Sequence, residues 1–356
     1  MALSVGVSVG SVDQTTVDFV RQAEAIGADS VWVPEFWGYD ALTPLGYLAA
    51  STTRIRLATG IVQLGARTPA MLAMSALSLQ TLSGGRFVLG IGTSGPQVME
   101  GWHGVRFDRP VTRTRETIEI LRLISAGEKL AYAGSTYTLP LPDGEGRSLR
   151  VLAPPMHVPV FVASLGPANL RLTGEIADGW IGNSFLPETA EVFLAPIRAG
   201  AASVGRSLAD VELTVAVGLE FTDDGEAAGR RHAAGYAFTF GAMGSAKTNF
   251  YNDAFARQGF GDDVAEVQRL WLAGDRQAAQ DRVPIEIGLG TNLIGDDAGI
   301  AQRLRLYRDA GIDTLRVGLA GNGNTERIDQ LARLLELVAT VNAERPVGGA
   351  TTAGCS

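Results

Sequence analysis

The sequence predicts an α/β chain folded as one (β/α)8 barrel. Short runs of apolar and β-branched residues recur along its 356 residues, and most are followed by a stretch with helical periodicity. Eight such runs indicate parallel strands, because parallel neighbours need crossover helices between them. Eight β/α units close most economically into a barrel, since closure leaves no sheet edge exposed. An open, doubly wound sheet is the alternative topology.

Local signals define several of these elements. The first helix begins after Asp13, an N-cap residue, and ends at Gly27. The third helix begins at Pro69 and is stopped by Gly84 and Gly85. The predicted strands are residues 5–9, 30–35, 55–62, 86–91, 160–163, 179–182, 211–221 and 314–319.

Two segments are additional to the eight β/α units of a minimal barrel. Residues 132–155 form an excursion between the fourth and fifth strands, and residues 222–296 form a mostly helical insertion before the last strand. We expect one domain over residues 1–347. The small, polar residues 348–356 are expected to form a frayed tail.

Composition excludes several classes of function. The chain carries 38 acidic and 30 basic residues, a net charge of −8, whereas a general nucleic-acid binder is expected to be basic. The single cysteine, Cys355, excludes an internal disulfide, and with three well-separated histidines a metal site is not expected. There is no signal-peptide pattern, and no apolar run reaches the ~20 residues that span a bilayer. We therefore expect a cytoplasmic protein without nucleic-acid or membrane partners.

The carboxyl ends of the strands are where a barrel of this kind places its active site. Glu35 follows the second strand beside Phe36 and Trp37, where it could donate or accept a proton. The structural alternative is a glutamate that caps the next helix or bonds to a neighbouring strand. In the third strand, Gly60 marks either a bulge that approaches a ligand or a close packing contact.

The fourth strand runs into residues 90–97, which match the dinucleotide pattern GxGxxG. We reject that function because Pro96 follows the third glycine and no acidic residue ends a strand about 20 positions later. What remains is a loop of small residues that a flat ligand can approach. It continues to Trp102 and His103, a histidine that serves either proton transfer or structure.

Two further segments are weaker candidates. Gly166 and Pro167 open a helix after the fifth strand, and free N–H groups at such a helix start bind phosphate. Lys247 and Tyr251, in the insertion, either line a substrate pocket or belong to a surface helix.

Taken together, these segments resemble the luciferase-like monooxygenase superfamily over nearly the whole chain. They are most similar to the branch that uses coenzyme F420, a 5-deazaflavin, which includes methylenetetrahydromethanopterin reductases and F420-dependent glucose-6-phosphate dehydrogenases. The resemblance is carried by residues 58–62, 83–92, 164–167 and 177–180, and the deazaflavin branch is indicated by 92–97, 101–104 and 247–251.

The resemblance implies a cofactor lying across the carboxyl-terminal mouth of the barrel. It implies a cis peptide bond between Gly60 and Ile61 behind the cofactor ring, and a phosphate held on the segment after the fifth strand. The residues implied to bind the cofactor are Glu35, Gly60, Ile61, Gln63, Thr93, Ser94, Gly95, Pro96, Gln97, Ala163, Ser164, Gly166 and Pro167.

The chain departs from the family pattern next to Glu35. Relatives often have a proton-transferring histidine directly after that acid, and here the position is Phe36. His103 is the substitute candidate, so Glu35 and His103 are the predicted catalytic residues. Basic residues that would hold a sugar phosphate are not identifiable, which disfavours glucose 6-phosphate. The predicted substrate-lining residues are Phe36, Trp37, Trp102, Lys247 and Tyr251.

The function implied is hydride transfer between F420 and a small organic substrate with a C=C, C=N or C=O bond. An FMN-dependent monooxygenase is the first alternative, and a non-catalytic flavin-binding protein is the second. The resemblance also implies a homodimer that pairs through helices of the first half of the chain.

Overall fold

The computed structural model describes residues 2–10, 13–243, 249–321 and 323–344. Its strands are β1 Ser4–Ser8, β2 Ser30–Val33, β3 Arg56–Thr59, β4 Val62–Gln63, β5 Phe87–Gly92, β6 Tyr132–Ala133, β7 Thr138–Leu139, β8 Val160–Ala163, β9 Gly179–Gly182, β10 Glu212–Phe221, β11 Leu293–Gly295 and β12 Thr314–Leu319. Its helices are α1 Gln14–Ile26, α2 Leu42–Ser51, α3 Pro69–Leu82, α4 Pro96–Gly101, α5 Pro110–Ser125, α6 Pro167–Ile176, α7 Glu191–Ser203, α8 Gly225–Ala242, α9 Phe250–Phe255, α10 Gly261–Leu272, α11 Arg276–Arg282, α12 Ile285–Gly290, α13 Asp297–Asp309 and α14 Asn324–Ala343.

The main sheet closes on itself. Its strands follow the order β12-β1-β2-β3-β5-β8-β9-β10, and β10 pairs in parallel with both β9 and β12. These strands form the predicted barrel, and their closure excludes the open sheet. The carboxyl ends of the strands meet at one end, which we call the mouth; we call the opposite end the base.

The helix signals in the sequence are confirmed. The side chain of Asp13 accepts a hydrogen bond from the backbone N–H of Thr16 at 2.8 Å, and Gly27 ends α1 in the left-handed conformation with φ of 109°. Pro69 is the first residue of α3. Two local predictions were wrong: the third strand is divided into β3 and β4, and residues 96–101 form a helix rather than a loop.

Charged side chains connect the starts of the strands at the base. Nη1 of Arg56, at the start of β3, lies 2.8 and 3.1 Å from the two oxygens of Glu212, at the start of β10. Three aspartates that directly precede strands each accept the backbone N–H of a residue at the start of a neighbouring strand. These pairs are Asp29 with Val5 (3.0 Å), Asp178 with Val160 (2.8 Å) and Asp313 with Leu213 (2.7 Å).

The predicted helical insertion comprises α8 to α12, between β10 and β11. It has a small apolar core of its own, in which Phe240, Phe255 and Ile287 are fully buried. The ring of Phe250, in α9, lies 6.3 Å from that of Phe107, in the loop after α4. The insertion therefore reaches across to the β5 side of the mouth. Within the described ranges, no helix is long and apolar enough to cross a membrane.

Candidate active site

The mouth brings together the predicted residues that follow β2 and β3. The backbone N–H of Glu35 donates to the oxygen of Ile61 at 3.2 Å, and the N–H of Gly60 donates to the oxygen of Val33 at 2.8 Å. Neighbouring parallel strands thus place the acid and the Gly60–Ile61 bond side by side, as their positions at two strand ends predict.

Glu35 is held in an ion pair, and only 9% of the residue is exposed. Its two carboxylate oxygens accept hydrogen bonds from the two terminal nitrogens of Arg67, at 2.8 and 2.7 Å. This hydrogen-bonded carboxylate raises the pKa of Arg67. Two backbone N–H groups also donate to this carboxylate. They belong to Gln63, in the adjacent strand, and to Ala41, at the start of α2. The geometry matches both structural alternatives for Glu35, because each oxygen already accepts two hydrogen bonds.

Gln63 joins this pair to His103. The side-chain Nε2 of Gln63 donates to the backbone oxygens of Glu35 and Phe36, at 3.1 and 3.4 Å, so its Oε1 faces the imidazole. That oxygen lies 2.9 Å from His103 Nε2. Since an amide oxygen only accepts, neutral His103 carries its proton on Nε2, and its Nδ1 has no hydrogen-bond partner among the described residues. The structure therefore joins the two predicted catalytic residues through a predicted cofactor residue.

The peptide bond between Gly60 and Ile61 is cis, as predicted. A Cβ built on Gly60 would lie 3.5 Å from its nearest neighbours, the side chains of Arg316 and Trp32, which is ordinary contact. Packing alone therefore does not require glycine at this position. Gly90 in β5 differs, because a Cβ there would lie 2.0 Å from the backbone oxygen of Thr59.

The segment after β5 turns sharply at the mouth. Ser94 has a φ of 57°, in the left-handed region, and Pro96 begins α4 directly afterwards. Thr93, Ser94, Gly95 and Pro96 are all half-buried, so their backbone is reachable from the mouth. Gln97 is exposed.

The segment after β8 forms an open helix start. Gly166 is the N-cap residue of α6, and it has no side chain that could cap the helix. A Cβ built on Gly166 would meet no atom within 4 Å. The backbone N–H groups of Gly166 and Ala168 have no acceptor among the described residues. The hydroxyl of Ser164, by contrast, is buried 2.9 Å from that of Thr173. The free donors at this helix start are therefore backbone N–H groups, whereas the hydroxyl of Ser164 is already held against Thr173.

Aromatic side chains are exposed around the mouth. Phe36, Trp37 and Trp102, which are predicted to line a substrate pocket, are 59%, 54% and 66% exposed. Tyr251, in α9, is half-buried, and burial raises the pKa of its phenol. Lys247 lies outside the described residues.

Three arginines at the mouth were not predicted from the sequence. Arg67 pairs with Glu35, and Arg257 donates to the backbone oxygen of Leu165, beside the start of α6. Arg316 projects from β12 into the barrel and is 4% exposed. A signal existed only for Arg316, since a charged residue within the apolar strand 314–319 indicates a buried charge. The partners of Arg67 and Arg257 lie 32 and 92 residues away in the sequence.

The comparisons with known proteins agree with this geometry. The family model described as luciferase-like monooxygenase matches residues 4–314 of the chain. The chain belongs to the luciferase-like monooxygenase family. Its sequence is 37% identical, over 94% of the chain and 98% of the relative, to a putative coenzyme F420-dependent oxidoreductase of Mycobacterium tuberculosis.

One further relative supports the assignment, and one solved structure shows the same fold. A 5,10-methylenetetrahydromethanopterin reductase of Methanolobus tindarius is 33% identical over 64% of the chain and 67% of that protein. A coenzyme F420-dependent tetrahydromethanopterin reductase from Methanopyrus kandleri has a similar structure, with a TM-score of 0.76 and 22% identity over 96% of the chain and 99% of the relative. This likeness shows that the family fold extends over nearly the whole chain.

Proposed function

We propose that this enzyme is an F420-dependent oxidoreductase that transfers a hydride between the deazaflavin and a small organic substrate. The observation that carries the proposal is the similarity over 94% of the chain to a relative named as F420-dependent. The acceptor or donor bond is C=C, C=N or C=O. When bound, the deazaflavin supplies the hydride chemistry.

The donors present at the mouth fit such a cofactor. The free N–H groups of Gly166 and Ala168, at the positive end of α6, suit a phosphate. Arg257, fixed to the carbonyl of Leu165, adds a positive charge beside them. The half-buried backbone of residues 93–96 and the cis bond between Gly60 and Ile61, in the neighbouring strand segment, form the surface on which the flat ring would lie.

His103 is the proposed proton donor and acceptor for the substrate. Gln63 holds Nε2–H and so directs Nδ1 away from the network, where it can take or return a proton. Glu35 is a positioning residue in this proposal: it bonds to the backbone N–H of Gln63, and its charge is balanced by Arg67. The two residues predicted to be catalytic therefore have different roles.

The exposed aromatic rim favours an apolar, unsaturated substrate. Phe36 and Trp37 lie edge to face, 6.1 Å apart between ring centres, and offer flat apolar surface at the mouth. Such a surface stays open to a substrate, which argues against a purely cofactor-storing protein.

A parallel titration with F420 and FMN tests the proposed function. We expect quenching of F420 fluorescence with micromolar or tighter affinity and at least tenfold weaker binding of FMN. Tight FMN binding with oxygen-dependent turnover would instead support the monooxygenase alternative. Tight F420 binding without turnover on any unsaturated acceptor would support the non-catalytic alternative.

We also propose a homodimer formed through α2 and α3. These adjacent helices contain no charged residue, and their exposed side chains include Tyr47, Met71, Met74 and Leu82. An uncharged apolar face on two neighbouring helices suits a self-complementary interface. Sedimentation velocity at micromolar concentration should show a dimer, and the change Met74→Lys should shift it toward the monomer. A wild-type monomer would contradict this proposal.

A further inference from the structure

Arg316 is a buried cation without a counter-ion. Burial lowers the pKa of its guanidinium to about 10, and no described carboxylate forms an ion pair with it. Its Nε has no hydrogen-bond partner within the described ranges. A charge in this state is unfavourable unless a ligand supplies the missing partner, so Arg316 is a candidate for ligand binding.

The side chain is nevertheless held in one place. Its Nη2 donates to the backbone oxygen of Gly182 at 3.0 Å and to Oδ1 of Asn183 at 3.2 Å. The guanidinium carbon lies 5.2 Å from the centre of the Trp32 ring, a cation–π contact. A fixed cation suits a ligand that occupies a fixed position.

The free nitrogen points toward the proposed cofactor site. Nη1 has no acceptor among the described residues and lies 3.5 Å from where a Cβ of Gly60 would be. Along β12 the next residue on the same face is Gly318, which is exposed, and its partner in β10 is Gly218. Toward the mouth, therefore, the next positions in β12 and β10 carry no side chain of their own, and the side chains of Asn292 and His232 lie beside Gly218.

We propose that Nη1 of Arg316 binds an electron-rich oxygen or nitrogen of the cofactor ring and favours the ring in its reduced state. A hydride carries two electrons with one proton, so its uptake adds one negative charge to the ring. A fixed cation in a low-dielectric barrel stabilises that added charge more than the oxidised ring. This inference rests on the proposed function, since it needs F420 at the mouth.

The test measures dissociation constants by anaerobic calorimetry, with oxidised and reduced F420 as the probes. Wild type should bind the reduced form more tightly. Arg316→Gln should weaken binding of the reduced form about tenfold or more relative to the oxidised form, because it removes a charged hydrogen bond. Arg316→Lys keeps the charge and should retain most of the preference. Arg56→Gln, which removes the paired arginine at the base, is the matched control and should leave both constants unchanged.

The outcomes are distinct. If wild type binds neither form, the proposed function fails and this inference fails with it. If wild type binds F420 but folded Arg316→Gln keeps the same ratio of the two constants, the inference alone is overturned. If Arg316→Gln does not fold, equal affinities of wild type or of Arg316→Lys for the two forms would overturn it.

Discussion

The two ends of the barrel each place an arginine on the inner surface, and the two arginines differ in their partners. At the base, Arg56 binds both oxygens of Glu212, and Thr314 adds a contact to the same carboxylate at 3.4 Å. At the mouth, no carboxylate of the described residues pairs with Arg316, and two of its nitrogens have no acceptor among those residues. The buried arginine is the unpaired one, although burial makes an unpaired charge more unfavourable.

The backbone shows the same contrast. At the base, three aspartates accept N–H groups at the starts of strands, whereas at the mouth the N–H groups that open α6 have no acceptor in the described part of the chain. The base uses its polar groups to hold the strands together. The mouth leaves the N–H groups at the start of α6 and two nitrogens of Arg316 without acceptors among the described residues, which stabilises the fold less and leaves donors for a ligand.

The largest expected effect is the loss of cofactor binding in Gly166→Asp. The side chain has space, so the variant should fold, but its carboxylate would stand at the helix start where a phosphate is proposed. Gly166→Asn is the matched neutral control and should keep most of the affinity in the same fluorescence titration. Retained F420 binding by a folded Gly166→Asp variant would contradict the assignment of free donors to the ligand.

A smaller effect is expected from His103→Gln. The new amide can still donate toward Gln63 but has no ring nitrogen to replace Nδ1, so turnover should fall about a hundredfold while F420 affinity is kept. His157, an exposed histidine near the start of β8 at the base, provides the control His157→Gln with unchanged turnover. If His103→Gln kept wild-type turnover, the hydrogen bonds of Gln63 with Glu35 and His103 would have only a structural role.

The smallest effect concerns the base. Burial raises the pKa of Asp313, so the native state binds the proton more tightly than the unfolded chain, and stability falls as pH rises above ~3.9 through the raised value. Asp313→Asn keeps an oxygen for Leu213 and removes the charge. At neutral pH we expect urea unfolding to show equal or greater stability, by less than about 1 kcal/mol, and no gain near pH ~3. Altered F420 affinity in this variant would break the separation between base and mouth.

The fold followed from the sequence because its signals are local. Asp13, Gly27 and Pro69 mark helix ends through their own side-chain or backbone preferences. The alternation of strand-like and helix-like segments along the chain then specifies the barrel. The break of the third strand at Gly60 was less predictable, since residues 55–62 read as one apolar run.

The site was predicted only where strand ends define it. The positions of Glu35, Gly60 and Gly166 follow from the barrel rule, but the partners of the mouth residues come from distant segments. Arg316 meets Gly182 across 134 residues of sequence, and no local pattern encodes that contact. The engagement of Glu35 by Arg67 likewise depends on how two loops pack, so the sequence alone left its role open.

The most direct test of the central claim, that the free groups of the mouth are cofactor ligands, is a crystal structure of the protein with bound F420. We predict that the phosphate lies within hydrogen-bond distance of the N–H groups of Gly166 and Ala168, and that a ring oxygen or nitrogen lies at Nη1 of Arg316. A cofactor bound elsewhere, or one at the mouth that leaves these donors without contact, would contradict it.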